Sequence, residues 1–154
     1  TWIRQALGEG NISLVRELLG RYPSYRGKVV KGNQVGSDIG YPTANIALDS
    51  RVALPKRGSY AAFVTLEGRE LQGAVHVGDR PTFGETERHQ VEVYLFDFSG
   101  DIYGKDLEVK LVKFLGGTKK YGSREELRKA IGVYVEEAKK VLKETSPVNL
   151  KSKY

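Results

Sequence analysis

The chain of 154 residues contains no cysteine, and its only histidines are His76 and His89. The absence of cysteine excludes disulfides and thiolate metal sites, and two histidines predict against a histidine-rich metal centre. No run of about 18 apolar residues occurs, so no membrane-spanning helix is expected. No signal peptide is recognisable either, and together these features favour a cytoplasmic protein without a membrane partner.

Positive charge is in excess but diffuse. The formal net charge is +6, and a basic surface of this kind could meet nucleic acid, an anionic membrane or a phosphorylated small molecule. The lysines are spread along the chain, and the aromatic residues do not alternate with Lys or Arg on any predicted strand. No nucleic-acid partner is therefore predicted. The apolar fraction of 40% and the charged fraction of 29% are typical of one globular domain with a substantial core.

The most informative segment is rich in glycine and ends in Pro42-Thr43-Ala44-Asn45. Glycine lets backbone N–H groups approach a ligand closely, so such a segment can surround the phosphates of a nucleotide. The Thr43 hydroxyl and the Asn45 amide are oxygen donors of the kind that Mg²⁺ prefers. A strand followed by a surface loop fits the same residues, and the Gly-Lys-Ser/Thr ending of a Walker A loop is absent. The glycines are Gly27, Gly32, Gly36 and Gly40.

Glu92 is the carboxylate that the sequence singles out. On a strand, Glu92 shares one face with Tyr94 and Phe96, because successive side chains alternate between the two faces. An acid beside two aromatic rings could line a cavity and accept a proton. The alternative is a solvent-facing glutamate, or one that is paired with a Lys or Arg.

Secondary-structure signals place helices at both ends of the chain and strands between them. Asn11 predicts the start and Gly20 the end of a helix, and Ser123 to Glu126 predicts a capping box before a long amphipathic helix. Short β-rich runs separated by turn residues favour a closed barrel or a sandwich. These runs are Val29 to Val30, Tyr60 to Leu66, Leu71 to Val77, Gln90 to Phe98 and Leu107 to Leu115.

Five motifs in chain order resemble those of riboflavin kinases. The first resembles the family signature, in which Gly-x-Val-Val-x-Gly leads through a loop to Leu/Ile-Gly-Phe/Tyr-Pro-Thr-Ala-Asn. The others resemble a Gly-Val-Tyr strand start, a Gly-x-Arg/Asn-Pro-Thr-Phe loop, a strand containing Glu, and an Asp-Leu-Tyr-Gly turn. The five segments run from Gly27 to Asn45, Arg57 to Ala61, Val77 to Gly84, Val91 to Phe98 and Asp101 to Gly104.

The resemblance implies a fold and an activity. The implied fold is mainly β, a six-stranded antiparallel Greek-key barrel with an N-terminal helical segment and a long C-terminal helix. The implied reaction transfers the γ-phosphoryl group of ATP to the 5′-hydroxyl of riboflavin, giving FMN and ADP, with Mg²⁺ as cofactor. The rival interpretation is a non-catalytic barrel that binds flavin or single-stranded nucleic acid.

The resemblance also assigns residues to roles. Glu92 would be the general base, and Thr43 with Asn45 would hold Mg²⁺. The ATP and phosphate site would comprise Gly27, Lys28, Val30, Gly32, Gly36, Ser37, Gly40, Pro42, Thr43 and Asn45. The flavin site would comprise Arg80, Pro81, Thr82, Phe83 and Tyr94, with help from the C-terminal helix.

The first residues of the chain carry a further resemblance, and two other positions differ from the family pattern. Thr1 to Arg4 resembles the end of a motif that closes the adenylyltransferase half of bacterial bifunctional FAD synthetases. We therefore expect residues 1–22 to be a helical connector from an FMN adenylyltransferase domain, residues 23–146 the kinase barrel and helix, and residues 147–154 a tail. Gly116 replaces an arginine that is usual in the family, for which Lys119 could substitute, and Ser37 stands where bacterial members often have arginine.

Overall fold

The computed structural model describes residues 2–30, 40–48, 52–78, 89–117 and 121–145. Three helices within these ranges are α1 (Trp2–Gly8), α2 (Ile12–Leu19) and α3 (Arg124–Glu144). The strands are β1 (Ser24–Val30), β2 (Ala44–Leu48), β3 (Gly58–Leu66), β4 (Arg69–Gly78), β5 (His89–Leu95) and β6 (Asp106–Gly116). None of the helices in the described ranges is both long enough and apolar enough to cross a bilayer.

The six strands close into one antiparallel barrel. Their order around the barrel is β1-β2-β5-β4-β3-β6, and β6 pairs back onto β1. The chain passes from β2 to β3 and from β5 to β6 between strands that are not neighbours, as in a Greek key. The predicted six-stranded barrel is therefore confirmed, and of the two architectures that the strand pattern allowed, the barrel is the one formed.

Side-chain alternation divides the barrel into an inner and an outer face. On β5, Val91, Val93 and Leu95 are buried in the interior core, whereas Glu92 and Tyr94 lie on the outer face. The predicted common face of Glu92 and Tyr94 follows from this alternation. It also places the Glu92 side chain on the outside of the barrel wall.

The N-terminal helices belong to the barrel core. Ala6, Leu7, Ile12 and Val15 are buried and cluster with the side chains inside the barrel. Asn11 caps α2 by accepting a hydrogen bond from the Leu14 backbone N–H at 3.2 Å, as predicted. The backbone N–H of Lys56 donates to the Leu7 carbonyl at 2.9 Å, which ties α1 to the segment before β3.

The long helix α3 covers part of the outer face. Its buried residues Val135, Ala138 and Leu142 pack against a second cluster on the barrel wall, formed by Ala61, Phe63, Phe96 and Val112. Burial of this stripe holds the helix in place, at about 25 cal/mol for each Å² of apolar surface removed from water. The apolar stripe read from the sequence is thus the packing face.

Two local predictions need correction. Glu126 does not complete a reciprocal capping box, because its carboxylate accepts from the Gly122 N–H at 2.8 Å rather than from Ser123. The Ser123 hydroxyl does accept from the Glu126 N–H, at 3.2 Å. Strand β5 ends at Leu95 instead of Phe98, because Asp97 takes a positive φ of 51° and turns the chain.

A tight hairpin joins β3 to β4. The hairpin between β3 and β4 turns at Glu67 and Gly68, whose φ values of 49° and 79° suit a tight two-residue turn. The proposed division into residues 1–22, 23–146 and 147–154 stays a prediction. Its last segment lies outside the described residues.

Candidate active site

Thr43, Asn45 and Glu92 come together on the outer face of the barrel. Asn45 is in register with Glu92 across the β2–β5 pair. Thr43 directly precedes β2, two residues before Asn45. Asn45 is 8% exposed, the one buried polar residue of the described chain, whereas Thr43 and Glu92 are half-buried. The arrangement places two oxygen donors beside a carboxylate.

A cavity of about 620 Å³ opens where β1 ends and β2 begins. Thr43 and Asn45 line it together with apolar side chains from the ends of the neighbouring strands and with the loop that follows β5. Its lining combines apolar side chains with several polar groups, and a small-molecule site needs both kinds of contact. The polar side chains of the lining are those of Thr43, Asn45, Ser99, Asp101 and Tyr103.

His76 is the neighbour of Glu92 on the opposite side from Asn45. The two residues are in register across the β4–β5 pair. Burial lowers the pKa of the His76 imidazole below its usual value, and the negative charge of Glu92 opposes that shift. His76 Nδ1 lies 3.4 Å from the hydroxyl oxygen of Ser59 on β3. An uncharged imidazole therefore borders the carboxylate near neutral pH.

Aromatic side chains continue this face towards α3. The rings of Tyr41 and Tyr94 meet edge to face with centroids 5.4 Å apart, and Tyr94 meets Phe96 at 5.7 Å. The Tyr41 hydroxyl reaches α3, where it lies 3.2 Å from the position that a Cβ on Gly132 would occupy. The absence of a side chain at Gly132 thus lets the helix approach the aromatic group.

Comparisons with known proteins identify the family of the chain and agree with its fold. The family model described as "Flavokinase: Riboflavin kinase" matches residues 19–142. The chain belongs to the riboflavin kinase family. The match confirms the predicted enzyme class, a kinase of a family that uses ATP and riboflavin, and it does not favour a non-catalytic barrel.

Individual relatives agree with this membership. The bifunctional riboflavin kinase/FMN adenylyltransferase of Escherichia coli K12 is 39% identical over 132 residues, which are 85% of this chain and 42% of that protein. The structure of riboflavin kinase from Trypanosoma brucei matches with a TM-score of 0.56 and 25% identity, over 79% of this chain and 80% of that one. A crystal structure described as the macrolide-efflux protein from Streptococcus pneumoniae matches with a TM-score of 0.80 and 34% identity, over 94% of this chain and 46% of that one. The chain spans less than half the length of the curated relatives that it matches.

The residues that the riboflavin kinase resemblance assigned to phosphate binding are only partly gathered at the cavity. Val30, Pro42, Thr43 and Asn45 line it. The Lys28 ammonium instead contacts the Gly104 carbonyl at 3.3 Å and the Asp106 carboxylate at 3.9 Å.

Both described glycines of the phosphate segment are absent from the cavity lining. Gly27 packs closely against β2, and Gly40 is exposed with a φ of 92°.

Several other assigned residues lie outside the described part of the chain. They are Gly32, Gly36, Ser37, Arg80, Pro81, Thr82 and Phe83, and Lys119 lies outside it as well. Tyr94 is the described member of the proposed flavin set. Its ring already contacts two aromatic neighbours, so it could offer a flavin only its remaining surface.

The loop from Phe98 to Tyr103 is a part of the cavity lining that the site assignment omitted. It lines the cavity together with Thr43 and Asn45. The Asp101 carboxylate accepts from the Tyr103 N–H at 2.9 Å and so shapes the loop. The turn motif from Asp101 to Gly104 was a signal in the sequence that could have placed these residues at the site.

The structure explains why position 116 is a glycine, which the sequence alone did not. A Cβ at this position would lie 2.5 Å from the hydroxyl of Tyr134 on α3 and 2.9 Å from its ring. The phenol therefore fills the space that an arginine side chain would need in this member of the riboflavin kinase family. Gly116 on β6 is in register with Ser59 on β3. Strand β3 is itself two strands away from β5, which carries Glu92.

We expect Gly116→Arg to lower the free energy of unfolding by about 1–3 kcal/mol, because over-packing against Tyr134 forces the ring to move. The measurement is urea unfolding of the variant and of the unchanged chain. Adding Tyr134→Ala should recover part of the loss, since the second change frees the space. Equal stability of Gly116→Arg and the unchanged chain would contradict the role assigned to Tyr134.

Proposed function

We propose that this chain phosphorylates riboflavin at its 5′-hydroxyl with ATP, giving FMN and ADP. The observation that carries the proposal is the register of Asn45 with Glu92 beside a cavity lined by Thr43 and Asn45, in a chain of the riboflavin kinase family. Phosphoryl transfer depends mainly on positioning and electrostatic stabilisation, so a few well-placed polar groups suffice.

In this proposal Thr43 and Asn45 hold Mg²⁺ together with the phosphates of ATP. Both supply neutral oxygen donors to the lining of the cavity. No group of three or more His, Asp or Glu side chains that could enclose a metal occurs among the described residues. That composition fits Mg²⁺, which is commonly held by few protein ligands and by substrate phosphates. The bound ion would neutralise charge on the transferred group.

Glu92 is the proposed general base. Its carboxylate would accept the proton of the riboflavin 5′-hydroxyl as that oxygen bonds to the γ-phosphorus. The position of Glu92 next to Asn45 supports this role, since the base must lie close to the phosphates that Asn45 and Thr43 would orient.

The flavin ring would lie on the outer face, along the side that Tyr94 and α3 border. Arg80, Pro81, Thr82 and Phe83 belong to this part of the proposal. Aromatic side chains suit a flat ring system because offset stacking and edge contacts both add to apolar burial.

The full-length protein would combine this kinase with a second activity. Curated relatives at 34–39% identity are named bifunctional riboflavin kinase/FMN adenylyltransferase. We therefore propose a C-terminal kinase module joined through residues 1–22 to an FMN adenylyltransferase domain. A cytoplasmic location is part of the proposal, because the reaction consumes cytoplasmic ATP.

The test is to incubate the purified chain with riboflavin, Mg²⁺ and ATP, and to separate the flavins by chromatography. We expect FMN only when all three are present, and no FAD, because the adenylyltransferase reaction belongs to the second domain. Flavin binding without FMN would contradict the proposed reaction. Production of FAD by this chain alone would contradict the division of the two activities.

We expect Thr43→Ala to raise the Mg²⁺ concentration for half-maximal FMN formation about tenfold or more, because a hydrogen bond or ligand contact to a charged group contributes roughly 1.5–3 kcal/mol. The measurement is the initial rate at fixed ATP over a range of Mg²⁺ concentrations. Thr43→Ser keeps the hydroxyl and should retain most of the activity.

Thr65→Ala is the matched control for this prediction. Thr65 lies on β3, where its hydroxyl accepts from Lys110 at 3.1 Å, and it does not line the cavity. The control variant should keep the Mg²⁺ dependence of the unchanged chain. The same Mg²⁺ dependence in Thr43→Ala would remove Thr43 from the proposed metal site.

A further inference from the structure

A continuous row of polar side chains crosses the outer face of the barrel at the level of Glu92. The registers place Asn45 opposite Glu92, Glu92 opposite His76, and His76 opposite Ser59. Each of these side chains belongs to a different strand, so the closed barrel brings together four residues that are far apart in sequence. His76 and Ser59 have no role in the proposed reaction as described so far.

The His76 ring is anchored on the side away from Glu92. Its Nδ1 lies 3.4 Å from the Ser59 hydroxyl on β3, whereas Glu92 lies on β5. At the next outward position of β4, a Cβ on Gly78 would lie 3.4 Å from Nε2. The ring is thus bounded by Ser59 on one flank, and the glycine at position 78 places no side chain of its own against Nε2.

The surroundings of His76 keep the imidazole uncharged near neutral pH. The ring is half-buried, which disfavours the cation, and Glu92 is the charged group among the described residues whose field acts against this. From β3 the ring meets the hydroxyl of Ser59, which does not titrate in this range. The Tyr134 phenol of α3 reaches the barrel at Gly116, one strand beyond Ser59.

We propose that His76 is a positioning residue for the Glu92 carboxylate, held in place by Ser59. This inference rests on the proposed kinase activity. Glutamate has three rotatable bonds, and restricting them costs up to about 2 kcal/mol of entropy. The His76 ring occupies the β4 flank of Glu92 and so directs the carboxylate towards the β2 flank, where Asn45 and Thr43 lie. The base is thereby oriented before the substrates bind.

The uncharged state of the ring matters for the same role. A neutral imidazole borders the carboxylate without forming an ion pair with it. A protonated imidazole would attract the carboxylate and lower its ability to accept a proton. Activity that depends on Glu92 should therefore fall when His76 is protonated.

A double-mutant cycle with His76→Ala and Glu92→Gln tests the inference. In the unchanged background, His76→Ala should lower kcat about tenfold and change the KM for ATP less than about twofold, because a displaced reacting group reduces the rate of a positioned reaction. In the Glu92→Gln background, the same change should alter kcat less than about twofold, since the carboxylate that His76 positions is gone. An equal loss of kcat in both backgrounds would overturn the inference, as would no loss in the unchanged background.

His76→Asn separates positioning from a merely structural role. Asparagine keeps a polar atom near the place of Nδ1 for Ser59 but cannot be protonated. We expect it to restore at least half of the kcat at pH 8 and to retain a larger fraction of that kcat at pH 5.5 than the unchanged chain does. A pH profile identical to that of the unchanged chain would overturn the inference. Absence of FMN from the unchanged chain would overturn the proposed function, and this inference with it.

Discussion

Glu92→Gln is expected to lower kcat for FMN formation about 100-fold or more, because general-base catalysis contributes roughly 10²- to 10⁴-fold. Glutamine keeps the length and shape of the side chain but cannot accept the proton of the riboflavin hydroxyl. The register with Asn45 and His76 does not depend on the charge of residue 92, so the barrel should close as before. The measurements are kcat by chromatography of the flavins and riboflavin affinity by fluorescence quenching.

Glu108→Gln provides the matched control for the Glu92 prediction. Glu108 is also a half-buried glutamate on the outer face, but it lies on β6 and pairs with Arg26 at 2.9 Å. We expect this variant to keep kcat within about twofold of the unchanged chain. If Glu92→Gln retained full turnover, Glu92 would have no part in the mechanism. If it lost riboflavin binding together with turnover, the residue would act in binding or folding rather than as a base.

The sequence predicted those elements whose signals are local. Alternation along β5, the Asn11 cap of α2 and the apolar stripe of α3 each depend on neighbouring residues, and the structure has all three. The strand pattern alone left a barrel and a sandwich open. Only the resemblance to a family distinguished them, because the pairing of β6 with β1 that closes a barrel is not a local property.

The candidate site was harder to predict because it depends on cross-strand register. Asn45, Glu92, His76 and Ser59 form one row only when β2, β5, β4 and β3 pair as they do. A shift of one residue in any pair would move its side chains to the other face. The sequence named Asn45 and Glu92 by resemblance. Ser59 lies within the second motif segment, but the resemblance gave it no role. The sequence assigned no role to His76 either.

Gly27 shows how one residue can satisfy a motif and a packing requirement at once. The resemblance assigns it to the phosphate-binding segment. In the structure a Cβ at Gly27 would collide with Cγ2 of Ile46 and would lie 2.6 Å from the backbone oxygen of Ala47. Both contacts belong to β2, the strand that carries Asn45. The close approach of β1 to β2 therefore requires glycine at this position, whatever the phosphate contacts are.

We expect Gly27→Ala to lower the free energy of unfolding by about 3 kcal/mol or more, at the upper end of what over-packing usually costs, because one of the opposing atoms is backbone and cannot rotate away. For a domain of this size that corresponds to a fall in Tm of roughly 6–12 °C, measurable by calorimetry. Gly8→Ala is the matched control, since a Cβ there meets nothing within 4 Å and lies in helix α1. It should leave Tm unchanged or raise it slightly.

A second change identifies the contact responsible for the loss in Gly27→Ala. Adding Ile46→Ala removes Cγ2 but leaves the Ala47 carbonyl in place, so the clash with the backbone remains. The second change also opens a new cavity inside the barrel, which lowers stability. We therefore expect little net recovery of Tm. If Gly27→Ala instead kept the Tm of the unchanged chain and only weakened ATP binding, its role would be phosphate contact and not packing. A fall in Tm with normal ATP affinity of the folded fraction would show that the role of Gly27 is packing and not phosphate contact. The two roles are therefore separable by comparing stability with ligand affinity in the same variant.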